Sequence, residues 1–271
     1  MSYGTAYDGS DFWEADGTKT PVNWRILPRV DLIILRATAG WGKLFEDKEF
    51  SMHWKNARRW GYHRAAYGWY YPTHTPQECA QFLYDTLQRN GYLETDGIPW
   101  IDAEENLGYS KKDYLYGLQK CLAIADELFR TRVGAYTARW FMVGRLGCTA
   151  EDLRFLNSRP VWLAGYPFKR DKEIPPDYVP PDDIESEVQR LGYDLPGVSR
   201  VDIWQWAETL KVPGLVDNKT GTDANCITNS LEYLWNLTGR QLRTDLGYRA
   251  RRKIHEMQGR YDHNPFLERR T

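Results

Sequence analysis

Short apolar runs alternate with longer amphipathic stretches along most of the chain. The segment DLIILRA, Asp31 to Ala37, is apolar at consecutive positions, as a strand buried on both faces must be. RRWGYHRAAYGWYY contains a helix end at Gly61 and then a strand around Ala65 to Tyr70. PQECAQFLYDTLQRN, Pro76 to Asn90, has proline at its first position and Ala80, Leu83 and Leu87 on one face, which predicts a helix. GIPWIDAE is the next strand. SKKDYLYGLQKCLAIADELF follows, with Ser110 as cap and Asp113 three residues on, and predicts a second helix. RVGAYTA reads as a strand, TAEDLRFLNS as a short helix capped by Thr149, and RPVWLAGY, SRVDIWQWA and GTDANCIT as the closing strands.

This strand-helix rhythm predicts an α/β protein with a parallel sheet. Counting the N-terminal YGTAYDG, there are about eight strands, which favours a closed barrel over an open sheet. The last third is less regular. Phe168 to Arg200 forms a long insertion with PPDYVPPDD at its centre, where the prolines exclude regular helix or central strand; it is expected at one mouth of the barrel. After Gly239 the composition shifts. Residues 239–271 carry nine Arg or Lys against four Asp or Glu. The expected organisation is a barrel over 1–239 and a basic extension over 240–271, with one helix around Leu246 to Met257 and a possible role as a protein-docking segment.

Composition narrows the classes. The formal net charge of the 271-residue chain is -1, so no global field draws it to nucleic acid or membrane. No run approaches the roughly 18 apolar residues of a membrane span. The opening MSYGTAYDGSDFWEADG lacks the basic start and apolar middle of a secretory leader. Cys79, Cys121, Cys148 and Cys226 are scattered without paired metal-ligand spacing, which predicts free thiols. The chain holds 12 Trp, 18 Tyr and 9 Phe. These rings serve either as core or as the lining of a groove that stacks on sugars.

The candidate chemistry lies in the acids. In a parallel barrel the loops after the strands open on one face. Asp8 follows the first strand, Asp102 and Glu104 end the strand in PWIDAEENLG, and Asp223 lies in GTDAN on the last. Asp102 and Glu104 are two apart and share one side of an extended backbone, while Glu105 points away and suits a surface or salt-bridge role. First and last strands are neighbours in a closed barrel, which brings Asp8 near Asp223. Clustered carboxylates support either hard-metal binding or glycoside hydrolysis, where one carboxyl stays protonated to serve the leaving oxygen. With only five His, a His-based metal centre is disfavoured. Ring candidates for sugar stacking are Trp13, Tyr67, Trp69, Tyr136, Trp140, Trp162, Tyr166, Trp204 and Trp206.

Seven segments together resemble the glycoside hydrolase family 25 lysozymes, the Chalaropsis-type muramidases. YDGSDF resembles the opening Asp-Val-Ser motif, and DLIILRATAG is similar to Asp-Phe-Val-Ile-Ile-Lys-Ala-Thr-Glu-Gly, with Arg36 for Lys and Ala39 for Glu. WIDAE matches the Asp-x-Glu strand, and GAYTARW, VWLAGY, DIWQW and VPGL with TDAN follow in family order. One departure is the third strand, where Tyr67, Gly68 and Trp69 stand for Tyr-His-Phe. The resemblance implies a modified TIM-like (β/α)5β3 barrel. It implies hydrolysis of the β-1,4 bond from N-acetylmuramic acid to N-acetylglucosamine in bacterial peptidoglycan, with no metal or cofactor. It implies Glu104 as general acid/base, Asp102 as stabiliser of the substrate's 2-acetamido group, and Asp8 and Asp223 as orienting acids. Of the rings, Tyr67, Trp69, Tyr136, Tyr166, Trp204 and Trp206 are expected to bind substrate. A phage lysin fits these features, released through a holin pore or carried in a virion. The alternative is a glycan-binding or structural virion component with a degenerate barrel.

Overall fold

The computed structural model describes residues 4–9, 13–14, 22–40, 42–168, 180–217, 222–228 and 231–236. Eight strands close into a barrel: β1 (Gly4–Gly9), β3 (Leu32–Gly40), β5 (His63–Trp69), β6 (Pro99–Asp102), β7 (Gly134–Ala138), β8 (Val161–Ala164), β9 (Ile203–Leu210) and β11 (Thr222–Ile227). Two strands stay short: β2 (Trp13–Glu14) pairs with β10 (Val216–Asp217), and β4 (Leu44–Glu46) forms a hairpin on β3. Neighbours from β1 through β3, β5, β6, β7 and β8 to β9 are parallel. Strand β11 runs antiparallel to both β9 and β1 and completes the ring.

Helices follow five strands. They are α1 (Phe50–Arg59) after β3 and its hairpin, α2 (Pro76–Arg89) after β5, α3 (Lys111–Phe129) after β6, α4 (Ala150–Leu153) after β7 and α5 (Ile184–Arg190) after β8. The three strands without such a helix, β9, β11 and β1, are adjacent in the closed sheet. A short α6 (Leu231–Asn236) follows the last strand. The helix starts obey the sequence signals. Thr75 and Glu78 form a reciprocal capping box in front of Pro76, Ser110 accepts from the Asp113 amide, and Thr149 pairs with Asp152 in the same way. Each satisfies amides that the first turn leaves without intrahelical partners.

The long insertion differs from expectation. Beyond its prolines it turns into helix α5, capped by Asp183, and buries Ile184 and Val188 in the outer core. Its described part is thus a helix of the outer layer, because proline is absent from 184–190 and the apolar residues there fall on one face. The predicted helix over Leu246 to Met257 and the whole extension 240–271 lie outside the described residues.

Alternation along the strands divides the core in two. Ile33, Leu35, Ile101, Ala135, Leu163, Trp204 and Trp206 face outward under the helices. Leu32, Ile34, Trp100, Tyr136, Trp162 and Ile203 fill the barrel. Trp162 is the centre of this plug, with edge contacts to Trp100, Tyr136 and Tyr67 at centroid distances of 5.8, 4.6 and 5.9 Å. The barrel interior is a packed core rather than a pore, as its size class requires. Its fit is tight at Gly134, where a Cβ would lie 2.1 Å from the Trp100 ring. Gly134→Ala is therefore expected to cost about 1–3 kcal/mol, measured as a fall in the urea midpoint with an unchanged slope.

Candidate active site

Four acids gather at the mouth where the parallel strands end. Asp102 is the last residue of β6, on the same side as the inward Trp100, while Ile101 and Ala103 face the helices. The extended path continues past the strand. The Ala103 amide donates to the Tyr136 carbonyl, and the Thr137 hydroxyl donates to the Ala103 carbonyl at 2.7 Å. This keeps Glu104 on the side of Asp102, as two-residue alternation predicts. Asp8, the next-to-last residue of β1, faces inward and is paired in register with Asp223. Asp223 reaches this mouth for a reason the sequence rhythm did not contain: β11 is antiparallel, so its beginning, rather than its end, lies beside the end of β1. The β9–β11 ladder also slips on both sides of Ala224. A bulge of that kind commonly re-aims a side chain near a site.

Asp8 is held by a directed hydrogen-bond network. The Asn225 and Gln205 side-chain amides donate to its Oδ2 at 2.7 and 3.0 Å. Tryptophan can only donate, and Trp162 Nε1 donates to Asn225 Oδ1 at 2.8 Å. That fixes the Asn225 amide nitrogen toward Asp8. The hydroxyls of Tyr136 and Tyr166 both donate to Gln205 Oε1, at 2.8 and 2.7 Å, and orient the second amide in the same way. Asp8 is 2% exposed. Burial raises its pKa to about 6 against the three hydrogen bonds from Asn225, Gln205 and Asp223 that lower it. A hydrogen bond between two carboxyl groups needs a proton between them.

Glu104 is half-buried, and its pKa is raised to about 7, first by burial and then by the charges of Asp8, Glu105 and Glu208. Asp102 is pushed well above the usual carboxylate range by burial, Glu104 and Asp8; Arg36 acts in the opposite direction. Its Oδ1 is buried without a hydrogen-bond partner. Arg36 is itself fixed by Asp47, through Nε at 2.8 Å and Nη2 at 2.8 Å. Glu105 turns away to an ion pair with Arg145 at 3.1 Å. Like charges converging in a partly dry site make full ionisation costly, and at least one proton stays to high pH. Such a site can deliver a proton near neutral pH. Among the described residues no three His, Cys, Asp or Glu side chains are grouped so that they could hold a metal ion. All four cysteines are buried, and none is in a disulfide.

The rings divide by strand face. Tyr67 sits inside the barrel among the acids; burial is the main reason its pKa is raised, Arg36 acts against it, and Asp8, Asp102 and Asp223 add to it. Trp69 is paired in register with Asp102 and stacks on Tyr71 at 5.3 Å. Tyr136 and Tyr166 reach the mouth through Gln205. Trp162 is fully buried core. Trp140 is 53% exposed beside the mouth. Trp13 lies on β2. Trp204 and Trp206, expected among the substrate-binding rings, belong instead to the outer layer. The Trp204 indole donates to the Gly165 carbonyl at 2.8 Å, and Trp206 is 3% exposed. Strand alternation turns the residue between them, Gln205, to the site. The DIWQW segment therefore contributes its polar residue and not its rings. Gln205, Asn225, Arg36 and Glu208 were missed as site residues. Alternation in DIWQW and TDAN carried the signal for the first two. Glu208 lay two residues beyond the quoted motif.

Gly68, which stands where the resemblance led to a histidine, faces α2. A Cβ there would lie 2.4 Å from Thr38 Oγ1 and 3.1 Å from Leu83. A side chain at 68 would meet the helix layer rather than the acids.

The family profile for Glycosyl hydrolases family 25 matches residues 22–215. Among solved structures, the bacterial lysozyme of Streptomyces coelicolor is similar at 19% identity and TM-score 0.63, over 88% of this chain and 97% of that one. The Clostridium perfringens spore cortex lytic enzyme SleM is similar at 24% identity and TM-score 0.63, over 85% of this chain and 69% of that one. A family GH25 lysozyme from Aspergillus fumigatus aligns at 17% identity and TM-score 0.60, over 87% and 99%. No curated protein matches the chain. The barrel is thus of the lysozyme-like glycoside hydrolase type. The chain belongs to glycosyl hydrolase family 25.

Removing a donor from Asp8 tests the network. Gln205→Leu strips one amide from the Asp8 carboxylate and leaves two tyrosine hydroxyls without their acceptor. The Asp8 pKa then rises further. A carboxyl with a raised folded-state pKa loses stability as pH climbs through that value. The variant is expected to lose about 1–3 kcal/mol, more at about pH 8 than at about pH 5, measured by urea unfolding at both.

Proposed function

We propose that the protein is an N-acetylmuramidase that hydrolyses the β-1,4 bond between N-acetylmuramic acid and N-acetylglucosamine in peptidoglycan. The observation that carries this is the convergence of Glu104, with its proton held to about pH 7, on Asp102, Asp8 and Asp223 at the barrel mouth, in a chain of family 25. The names of the similar structures, lysozymes and a spore cortex lytic enzyme, agree with it.

In this reading the Glu104 carboxylic acid gives its proton to the glycosidic oxygen as the C1–O bond breaks. The carbonyl oxygen of the substrate's own 2-acetamido group attacks C1 and takes the place of a protein nucleophile. Asp102 accepts the acetamido N–H and steadies the positive charge that develops there. Glu104, now a carboxylate, removes a proton from water. That water attacks C1 from the side the leaving group vacated as the C1–acetamido oxygen bond breaks and the acetamido group is restored, so configuration is retained. Asp8 and Asp223 orient the sugar, and burial followed by the charge of Asp8 keeps Glu104 basic enough to hold its proton. Tyr67, Trp69, Tyr136 and Tyr166 supply the ring surface around the cleaved sugar.

The finer reading, a Chalaropsis-type phage lysin whose basic extension over 240–271 docks to a protein partner, rests on the sequence features alone. No helix of the described residues is long and apolar enough to cross a membrane.

Glu104→Gln keeps the shape and removes the proton. It is expected to cut reducing-sugar release from purified peptidoglycan by on the order of 100-fold or more, with muramic acid at the new reducing ends of the wild-type products. Undiminished release by the variant would overturn the assignment. The same substitution has a stability signature. Glu104 is raised from 4.5 to about 7, so the native state pays for ionising it above that window and not below it. Glu104→Gln is expected to raise Tm by about 2–4 °C at about pH 8 and to leave it unchanged at about pH 4, measured by calorimetry.

A further inference from the structure

An apolar groove of about 400 Å³ lies between the loops that follow β7 and β8. Its walls include Trp140, Val143 and Gly144 on one side and Gly165, Tyr166 and Tyr193 on the other. Trp140 and Gly144 belong to a π-helical turn, Trp140–Arg145. Such turns are rare and cluster at functional sites. This one is tied to the acids at both ends of the groove. Arg145 binds Glu105, the neighbour of Glu104, at 3.1 Å. On the opposite wall Tyr166 donates to Gln205, the residue that holds Asp8.

The walls are built rather than incidental. The Tyr193 hydroxyl donates to the Tyr166 carbonyl at 2.5 Å, and the Tyr193 ring lies where a side chain at Gly165 would be. A Cβ on Gly165 would come within 2.5 Å of that ring, so glycine there is a condition of the wall. Across from it Trp140 is 53% exposed, and a Cβ on Gly144 would meet nothing within 4 Å. The Trp140 indole meets Phe141 edge-on at 5.8 Å and still stands half in water beside the open apolar trough.

We propose that this groove is a subsite for an N-acetylated sugar of the same glycan strand, one that lies beyond the cleaved bond and packs its C–H face against Trp140. The inference rests on the muramidase reading for the identity of the polymer. A strand cut internally continues past the acids on either side, and Tyr166, which lines this groove, also bonds Gln205, the residue that holds Asp8. A pyranose ring has an apolar face and a rim of hydroxyls. An open trough of apolar character takes the first and leaves the second in water. Peptides and lipids lack that division, and neither is continuous with the acid mouth in a glycan-cutting enzyme.

The test uses the full chain carrying Glu104→Gln, so that ligand is not consumed. Calorimetric titration with uncrosslinked glycan fragments of one and of four disaccharide units compares this protein with forms that also carry Trp140→Ala or Gly144→Phe. The first removes the stacking face. The second fills the trough from a position with open space, and thermal melting confirms that both fold. The expected result is about tenfold weaker binding of the long fragment by both variants, the scale of one lost aromatic contact, with the short fragment unchanged. Equal binding of the long fragment by all three proteins overturns the subsite. Peptidoglycan digestion by the wild type is scored separately. Digestion with groove-independent binding removes the subsite and keeps the muramidase reading; groove-dependent binding without digestion does the reverse.

Discussion

The site depends on how the Asp8 carboxylate is kept in the barrel. A buried carboxylate is tolerated only where donors are aimed at it. Here two amides do so, and neither could turn without losing its own partners. Asn225 is held by an indole that can only donate, and Gln205 by two phenol hydroxyls. The aromatic plug of the barrel therefore has two tasks at once. Trp162, Tyr136 and Tyr166 fill space, and their polar edges set the direction of the amides. The charge of Asp8 in turn raises Glu104 and Asp102. Packing, polarity and proton affinity are linked through one set of contacts.

Closure of the sheet provides the second condition. Residues at positions 8 and 223 are 215 apart in sequence and become register partners because β11 inserts antiparallel between β9 and β1. A strand entering in that direction presents its start at the mouth where the acids gather. It places Asp223 and Asn225 there in alternation, with Ala224 turned to the outer layer. Among the described residues no helix follows β9 or β1, and only the six-residue α6 follows β11, so this side of the barrel carries little helix.

Much of this was legible in the sequence. The apolar runs located the strands, because a strand buried on both faces has little choice of residue. Pro76 and the caps Ser110 and Thr149 marked helix starts to within a residue. The pairing of Asp102 with Glu104 followed from alternation alone. What was not legible depends on three-dimensional direction. The antiparallel course of β11 is invisible to a strand pattern. The assignment of Trp204 and Trp206 to the site failed because a tryptophan can suit either face of a strand, and the deciding fact was that Gln205 between them had to face Asp8. Helix α5 was hidden by the prolines that precede it. Gly68 looked like a loss at the site and proves to face α2, where Thr38 leaves room for no side chain.

The central claim is that the fold holds a proton on Glu104 near neutral pH, first by burying its carboxyl group and then by setting the charges of Asp8, Glu105 and Glu208 around it. A carboxyl-carbon NMR titration of the intact protein measures this without reference to substrate. The account predicts one glutamate titrating near pH 7, moving down when Asp8 is replaced by Asn. Titration of every glutamate in the usual range of about 4–5, with Asp8→Asn changing none of them, would contradict it.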